Sequence, residues 1–117
     1  MLCMKRVYEP HGADDGYRVL VERLWPRGVS KVKAHLDAWA KDLAPSTELR
    51  QWYDHDPAKW DEFQRRYRKE LAEPAPQQAL DDLAKRVRDE TVTLVYASKA
   101  GDISNAAVLL AVLKDKG

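Results

Sequence analysis

Two apolar runs rich in β-branched residues, one centred on Val19–Val21 and one over Thr91–Ala97 (TVTLVYA), bracket a long stretch patterned for helices. That arrangement limits the folds open to the chain. Antiparallel neighbours are joined by a few residues, whereas strands separated by helices pair in parallel through a right-handed crossover. The expectation is an α/β domain: a small, mostly parallel sheet of about three strands flanked by helices, with all 117 residues in a single domain.

The remaining elements fit around those two strands. Met4–Tyr8 reads as a first strand ended by Pro10, and His11–Gly16 (HGADDG) as a turn-rich connection into a second strand over Tyr17–Leu24. From Lys31, the apolar residues Val32, Leu36, Trp39 and Leu43 recur at helical spacing and predict one amphipathic helix. Pro45 and Ser46 stop it and cap a short helix whose inner side carries Leu49, Trp52 and Tyr53. Asp56-Pro57 is a helix start, a capping carboxylate followed by proline at the first helical position, and Trp60, Phe63, Tyr67 and Leu71 stripe the helix that follows. Pro74 and Pro76 are expected to break the chain before a helix marked by Leu80, Leu83 and Val87. Asp102 or Ser104 caps the last helix, and Lys114 and Lys116 complement its dipole.

A formal net charge of +1 excludes a dominant field drawing the whole protein to nucleic acid or acidic membrane. The single cysteine, Cys3, forms no internal disulfide and suits a reducing cytoplasm. The first residues lack the apolar core of a signal peptide and no stretch reaches transmembrane length, so a cytoplasmic protein is expected.

The segment richest in chemistry is VLVERLWPRGVSK, Val19–Lys31. Pro26 stiffens the backbone where the strand should stop and Gly28 allows a sharp change of direction. Guanidinium groups fixed at the end of a buried strand are a common way for an α/β protein to hold an anion. The candidate ligand-binding set is Arg23 and Arg27 as the clamp, Trp25 as a wall, Lys31 and Lys99 as further cations, and Asn105 at the opening of the last helix. The competing account is structural: Arg23 paired with Glu22 or Asp37, Arg27 tying the loop to a helix, and Trp25 plugging the end of the sheet.

The segments DDGYRVLVERLWPRGVSK, LDAWAKDLAPSTELRQWY, HDPAKWDEFQRRYRKEL and TVTLVYASK, which together cover most of the chain, resemble the YeaO-like proteins, a bacterial family without an established function. The wider superfamily to which that family is related carries a cysteine and a glutamate on its late strand and a Cys-His-Arg triplet at the opening of its last helix. Those groups imply enzymes. Here the matching positions are Tyr96 and Ser98 on the strand and Ser104, Asn105, Ala106 and Ala107 on the helix; where YeaO-like members keep a histidine after the asparagine, this chain has Ala106. The arginine half of the site implied by the resemblance is kept and the reactive half is missing, which favours binding over catalysis.

Other clusters have plainer explanations. His11, Asp14 and Asp15, and likewise Asp54, His55 and Asp56, fit no zinc or EF-hand spacing and read as turn and cap chemistry, so neither metal nor cofactor is expected. His35 reads as a boundary residue of its helix. Trp39, Trp52 and Trp60 lie on apolar stripes and belong to the core rather than to a base-stacking platform. Arg65, Arg66, Arg68 and Lys69 face Asp61, Glu62 and Glu70 within a helical turn, a solvated face rather than a nucleic-acid contact. Neither Ser46–Thr47 nor Ser98 has a histidine at a recognisable spacing. Ala106–Leu113 is apolar nearly all round, which makes a homodimer through the C-terminal helix an option. The sequence therefore points to a module binding a small anionic, phosphate- or nucleotide-like ligand at the loop Arg23–Gly28. The alternatives are an enzyme acting on a nucleotide or phosphorylated compound, with Tyr96, Asp102 or a metal supplying the missing chemistry, and a protein-interaction module.

Overall fold

The computed structural model describes residues 1–116 and contains one four-stranded sheet in the order β1-β4-β2-β3, with every neighbouring pair parallel. The strands are β1 (Leu2–Arg6), β2 (Tyr17–Leu20), β3 (Ala38–Trp39) and β4 (Val92–Tyr96). The helices are α1 (Lys31–Ala34), α2 (Thr47–Tyr53), α3 (Trp60–Leu71), α4 (Pro74–Asp89) and α5 (Asn105–Lys116). β4 lies between β1 and β2, in register from Leu2↔Val92 to Arg6↔Tyr96 on one side and from Tyr17↔Val92 to Leu20↔Val95 on the other. All five of its residues are buried, which is why it reads as an unbroken apolar run rather than an alternating one. The first strand, expected at Met4–Tyr8, is set two residues earlier by this register and runs parallel to β4. No helix of the described residues is long and apolar enough to cross a membrane.

One face of the sheet, through Val19, Val21, Val92 and Leu94, packs on Phe63, Tyr67, Leu71, Leu80, Leu83, Val108 and Leu109 of α3, α4 and α5. Burial of that many large apolar side chains supplies most of the folding free energy. The other face is smaller, with Val7, Leu20, Ala34 and Val95 buried under Trp25, Val29 and Leu36. It also contains a charge: Arg18 on β2 is 1% exposed and its guanidinium donates to Asp15 at 2.6 Å and to the Ala34 and His35 carbonyls at 2.9 and 3.0 Å.

Those bonds explain where the helix expected from Lys31 through Leu43 fails. Ser30 caps a first turn by accepting the Lys33 N–H at 3.1 Å, but His35 ends it in the left-handed region at φ 49°. The carbonyls that would carry the helix onward are taken by Arg18, and Asp37 is tied to the β2 backbone by two bonds of 2.8 Å. The chain is thereby laid beside β2 as the two-residue strand β3, the fourth strand of the sheet. Helical spacing of apolar residues loses to a buried guanidinium that must have its hydrogen bonds. Val32, placed on the expected inner stripe, is 82% exposed.

Pro74 does not break the chain but opens α4, occupying the first helical position where the missing N–H costs nothing. Ser46 caps α2 as expected, accepting the Leu49 N–H at 3.1 Å, and is itself held by Glu70 of α3 at 2.6 and 2.8 Å. Ser104, rather than Asp102, caps α5 through the Ala107 N–H at 3.3 Å. α5 packs on β1, β4 and α4, leaving Ala111 and Lys114 among its exposed residues.

Candidate ligand site at the carboxyl edge of the sheet

The carboxyl ends of parallel strands are where α/β proteins gather their loops and open a crevice. In this fold the loops after β1, β2 and β4 and the start of α5 meet there, around a cavity of about 760 Å³. Arg6 and Tyr8 come from the end of β1, Glu22 from just past β2, Ala97–Ala100 from just past β4, and Ser104 and Asn105 from the mouth of α5. Arg50 and Tyr53 of α2 with His55 form the opposite wall, and Phe63 and Pro45 add apolar surface.

The polar groups differ sharply in how well they are satisfied. The Arg6 guanidinium donates twice to the Ala97 carbonyl, at 3.1 and 3.3 Å, and lies 5.0 Å from the Tyr8 ring. The Asn105 amide donates to the Val21 carbonyl at 2.8 Å, which locks the first residue of α5 to the end of β2. Tyr53 donates its hydroxyl to the Ile103 carbonyl at 2.8 Å. Arg50 is the exception: its Nε is buried and has no hydrogen-bond partner among the described residues. Lys99 is exposed at the rim. Arg6, Arg50 and Lys99 thus bring three basic side chains to one cavity, beside the N-terminus of α5, where Ser104 accepts the Ala107 N–H.

Glu22 is the one carboxylate among the described residues of the lining. Its Oε1 accepts the Ala97 N–H at 3.2 Å. Burial pushes its carboxyl above the ordinary range, against the opposing pull of that N–H and of the Arg50 and His55 charges. Burial likewise raises the Tyr53 and Tyr96 phenols, with nearby carboxylates adding to the effect, so both stay neutral at physiological pH and neither is poised as a base. Among the described residues the serines of the lining are used structurally. Ser98 accepts the Ala100 N–H at 3.2 Å, Ser104 donates to the Gly101 carbonyl at 2.7 Å, and neither bonds His55. No nucleophile–base pair is assembled among them.

Of the six residues singled out in the sequence, Lys99 and Asn105 line the cavity and the other four do not. Arg23 turns away and donates to the Ala44 and Pro45 carbonyls at 3.3 and 3.1 Å, fastening the loop after β2 to the start of α2. Trp25 covers the second sheet face, donating to the Val29 carbonyl at 2.6 Å and meeting Trp39 edge-on at 5.4 Å. Arg27 is exposed and outside the lining, its carbonyl accepting the hydroxyl of the lining residue Tyr8 at 3.0 Å, and Lys31 is exposed at the start of α1. Sequence reasoning missed Arg6, Arg50 and Glu22. Arg6 and Glu22 carried a usable signal, since both sit at the carboxyl end of an apolar strand; Arg50, on a helix, carried none.

The other clusters fall elsewhere. Asp15 holds Lys5 and Arg18, His11 stacks on His35 at 4.3 Å, and Asp56 caps the turn before α3. Among the described residues no group of three or more His, Cys, Asp or Glu is placed to hold a metal. On α3, Glu62 pairs with Arg65 and Arg66, and Arg66 lies 4.2 Å over the Trp52 ring. Trp52 and Trp60 are half-buried against the main core, whereas Trp39 is 37% exposed, under Lys41 at 4.1 Å.

Comparison with known proteins adds the family. The model of a family described as the inactive DUF488-N3 subclade matches residues 1–116. The uncharacterized protein Rv3073c of Mycobacterium tuberculosis is 46% identical over 111 residues, covering 95% of this chain and 92% of the relative. A counterpart in Mycobacterium bovis matches to the same extent, and the uncharacterized protein YeaO of Escherichia coli is 42% identical over 106 residues, covering 90% of each. No solved structure matches.

Proposed function

This chain belongs to the inactive DUF488-N3 subclade, and we propose that it is a binding module for a small anionic, phosphate- or nucleotide-like ligand, held at the carboxyl edge of the sheet without being turned over. The observation that carries this reading is Arg50. A buried guanidinium nitrogen without a partner is costly, and here it borders a cavity that already gathers Arg6, Lys99 and the start of α5. A bound anion would supply the missing acceptor through charge-assisted hydrogen bonds. The clamp is therefore Arg50 with Arg6 and Lys99, and Asn105 fixes the helix end that faces the same anion. Arg23 fastens the neighbouring loop, Trp25 covers the second sheet face, and Arg27 and Lys31 stay exposed outside the cavity. The subclade's description supports binding without turnover, as does the lack of a paired nucleophile and base among the described lining residues. We take the cytoplasm as its compartment on the lone Cys3.

The test is the thermal unfolding midpoint in inorganic phosphate, pyrophosphate, sulfate and nucleoside monophosphates. A ligand at a hundred times its Kd stabilises the folded state by about 2.7 kcal/mol, a rise on the order of 10 °C for a domain of this size. The wild type and Arg27→Ala should both rise with at least one anion, and Arg50→Gln should not rise above its own ligand-free midpoint. No rise with any anion, or an equal rise in Arg50→Gln, would remove the proposal.

A further inference from the structure

Beside the unpartnered Nε of Arg50, the cavity is lined by the carboxylate of Glu22. Only Oε1 of Glu22 is engaged, by the Ala97 N–H; its second oxygen accepts no hydrogen bond from the described residues. Glu22 and Arg50 line the same cavity, and among the described residues they form no salt bridge with each other. Opposite charges lining one concave site would ordinarily close on each other, because each then satisfies the other. The two side chains are carried on separately anchored elements. Glu22 is anchored to the β4 end through Ala97, and Arg50 is carried on α2, whose start is fixed by Ser46 and Glu70. The same lining carries the apolar surfaces of Tyr53, Phe63 and Pro45, and its volume admits an organic molecule.

Resting on the anion-binding reading above, we infer that the ligand is amphoteric: an apolar, ring-bearing molecule with an anionic group at one end, received by Arg50, and an N–H donor at the other, received by Glu22. Glu22 is then the residue that determines specificity. A carboxylate accepts and never donates when ionised, so it rewards an amine or ring N–H and penalises a ligand that leaves it desolvated and unpaired. An anion joined to a purely apolar body satisfies Arg50 and strands Glu22. Aminoaryl acids and nucleotides with an exocyclic amine both have the required chemistry, one through a carboxylate and the other through a phosphate.

Matched pairs that differ only in the amine separate these cases: 4-aminobenzoate against benzoate, and AMP against purine riboside 5′-monophosphate, with inorganic phosphate as the bare anion. Calorimetric titration of the wild type should show the amine-bearing member of at least one pair binding about tenfold or more tightly, the scale of one charge-assisted hydrogen bond. Glu22→Gln, which keeps an acceptor for the Ala97 N–H, should reduce that ratio to near one. Equal affinities within both pairs overturn the inference on the wild type alone, even if the variant does not fold. So does a preference that survives in Glu22→Gln. Binding of inorganic phosphate with no binding of either pair leaves the anion reading standing and removes this one; no binding of any probe removes both.

Discussion

Replacing Asp15 with asparagine tests the most unusual feature of the fold, the buried charge under the second sheet face. Asp15 accepts from Lys5 at 3.0 and 3.1 Å, from Arg18 at 2.6 Å and from the Gly12 N–H at 3.0 Å, with only 10% of its side chain exposed. Burial alone would raise its pKa, but those hydrogen bonds and the Lys5 charge outweigh it and lower the value from 3.8 to about 2. That difference between unfolded and folded states corresponds to about 2 kcal/mol of stability. The amide in Asp15→Asn could still accept one hydrogen bond, yet Arg18 would be left buried without its counter-ion, so the loss at pH 7 should be about 3 kcal/mol. Because the folded pKa is depressed, the carboxylate's contribution is complete above the unfolded pKa and disappears as pH falls through the folded one. The amide of the variant binds no proton in this range. The stability gap between wild type and variant should therefore be flat from about pH 7 to pH 5 and about 1 kcal/mol narrower by pH 3. Urea unfolding followed by tryptophan fluorescence measures both, with an unchanged m-value showing that the same surface is exposed. A gap below about 1 kcal/mol at pH 7, or one that does not move with pH, would refute the argument.

Three further outcomes follow from single contacts. Gly16 has φ +65° and a Cβ there would sit 2.2 Å from the Thr91 carbonyl oxygen, whereas Gly28, at φ +76°, has open space; Gly16→Ala should prevent or severely weaken folding and Gly28→Ala should cost about 1 kcal/mol in denaturant unfolding. Tyr67→Phe removes a fully buried hydroxyl that donates to the Leu43 carbonyl, and should lower stability by about 1–2 kcal/mol without altering the far-UV spectrum. Arg23→Ala should lower the unfolding free energy by about 1–2 kcal/mol, through the freed Ala44 and Pro45 carbonyls, while leaving any anion-induced thermal shift intact; loss of that shift in Arg23→Ala would return Arg23 to the site.

What the sequence reveals depends on the range of the forces involved. β4 is legible because a strand buried on both faces must be apolar throughout, and α3 because Trp60, Phe63, Tyr67 and Leu71 recur along one face of it. The parallel pairing of the β2 and β4 strands is legible from the helices between them. The segment from His35 to Trp39 is not, because its conformation is set by Arg18, a charged residue inside a strand whose burial no local pattern reveals. The site shows the same division. The carboxyl edge of the sheet could be located from the strand ends, and Lys99 and Asn105 with it. Which way an arginine turns past β2 depends on whether carbonyls lie within reach, and the start of α2 offers Arg23 two of them. Arg50 comes to the cavity through the packing of α2 beside the loops after β1 and β4, a tertiary relation that spacing does not encode.

The central claim is that Arg50 and the carboxyl edge of the sheet, not the exposed face of the loop at Arg27, receive an anion. Titrating isotopically labelled protein with inorganic phosphate while following backbone amides and arginine Nε–Hε signals by NMR tests it at the level of atoms. The account predicts saturable shifts in the Arg50 Nε–Hε signal and in the amides of Ala97–Ala100 and Asn105–Ala107, with Arg27 and Lys31 unmoved. Shifts centred on Arg27 and Lys31, or an Arg50 signal unchanged at saturating phosphate, would contradict it.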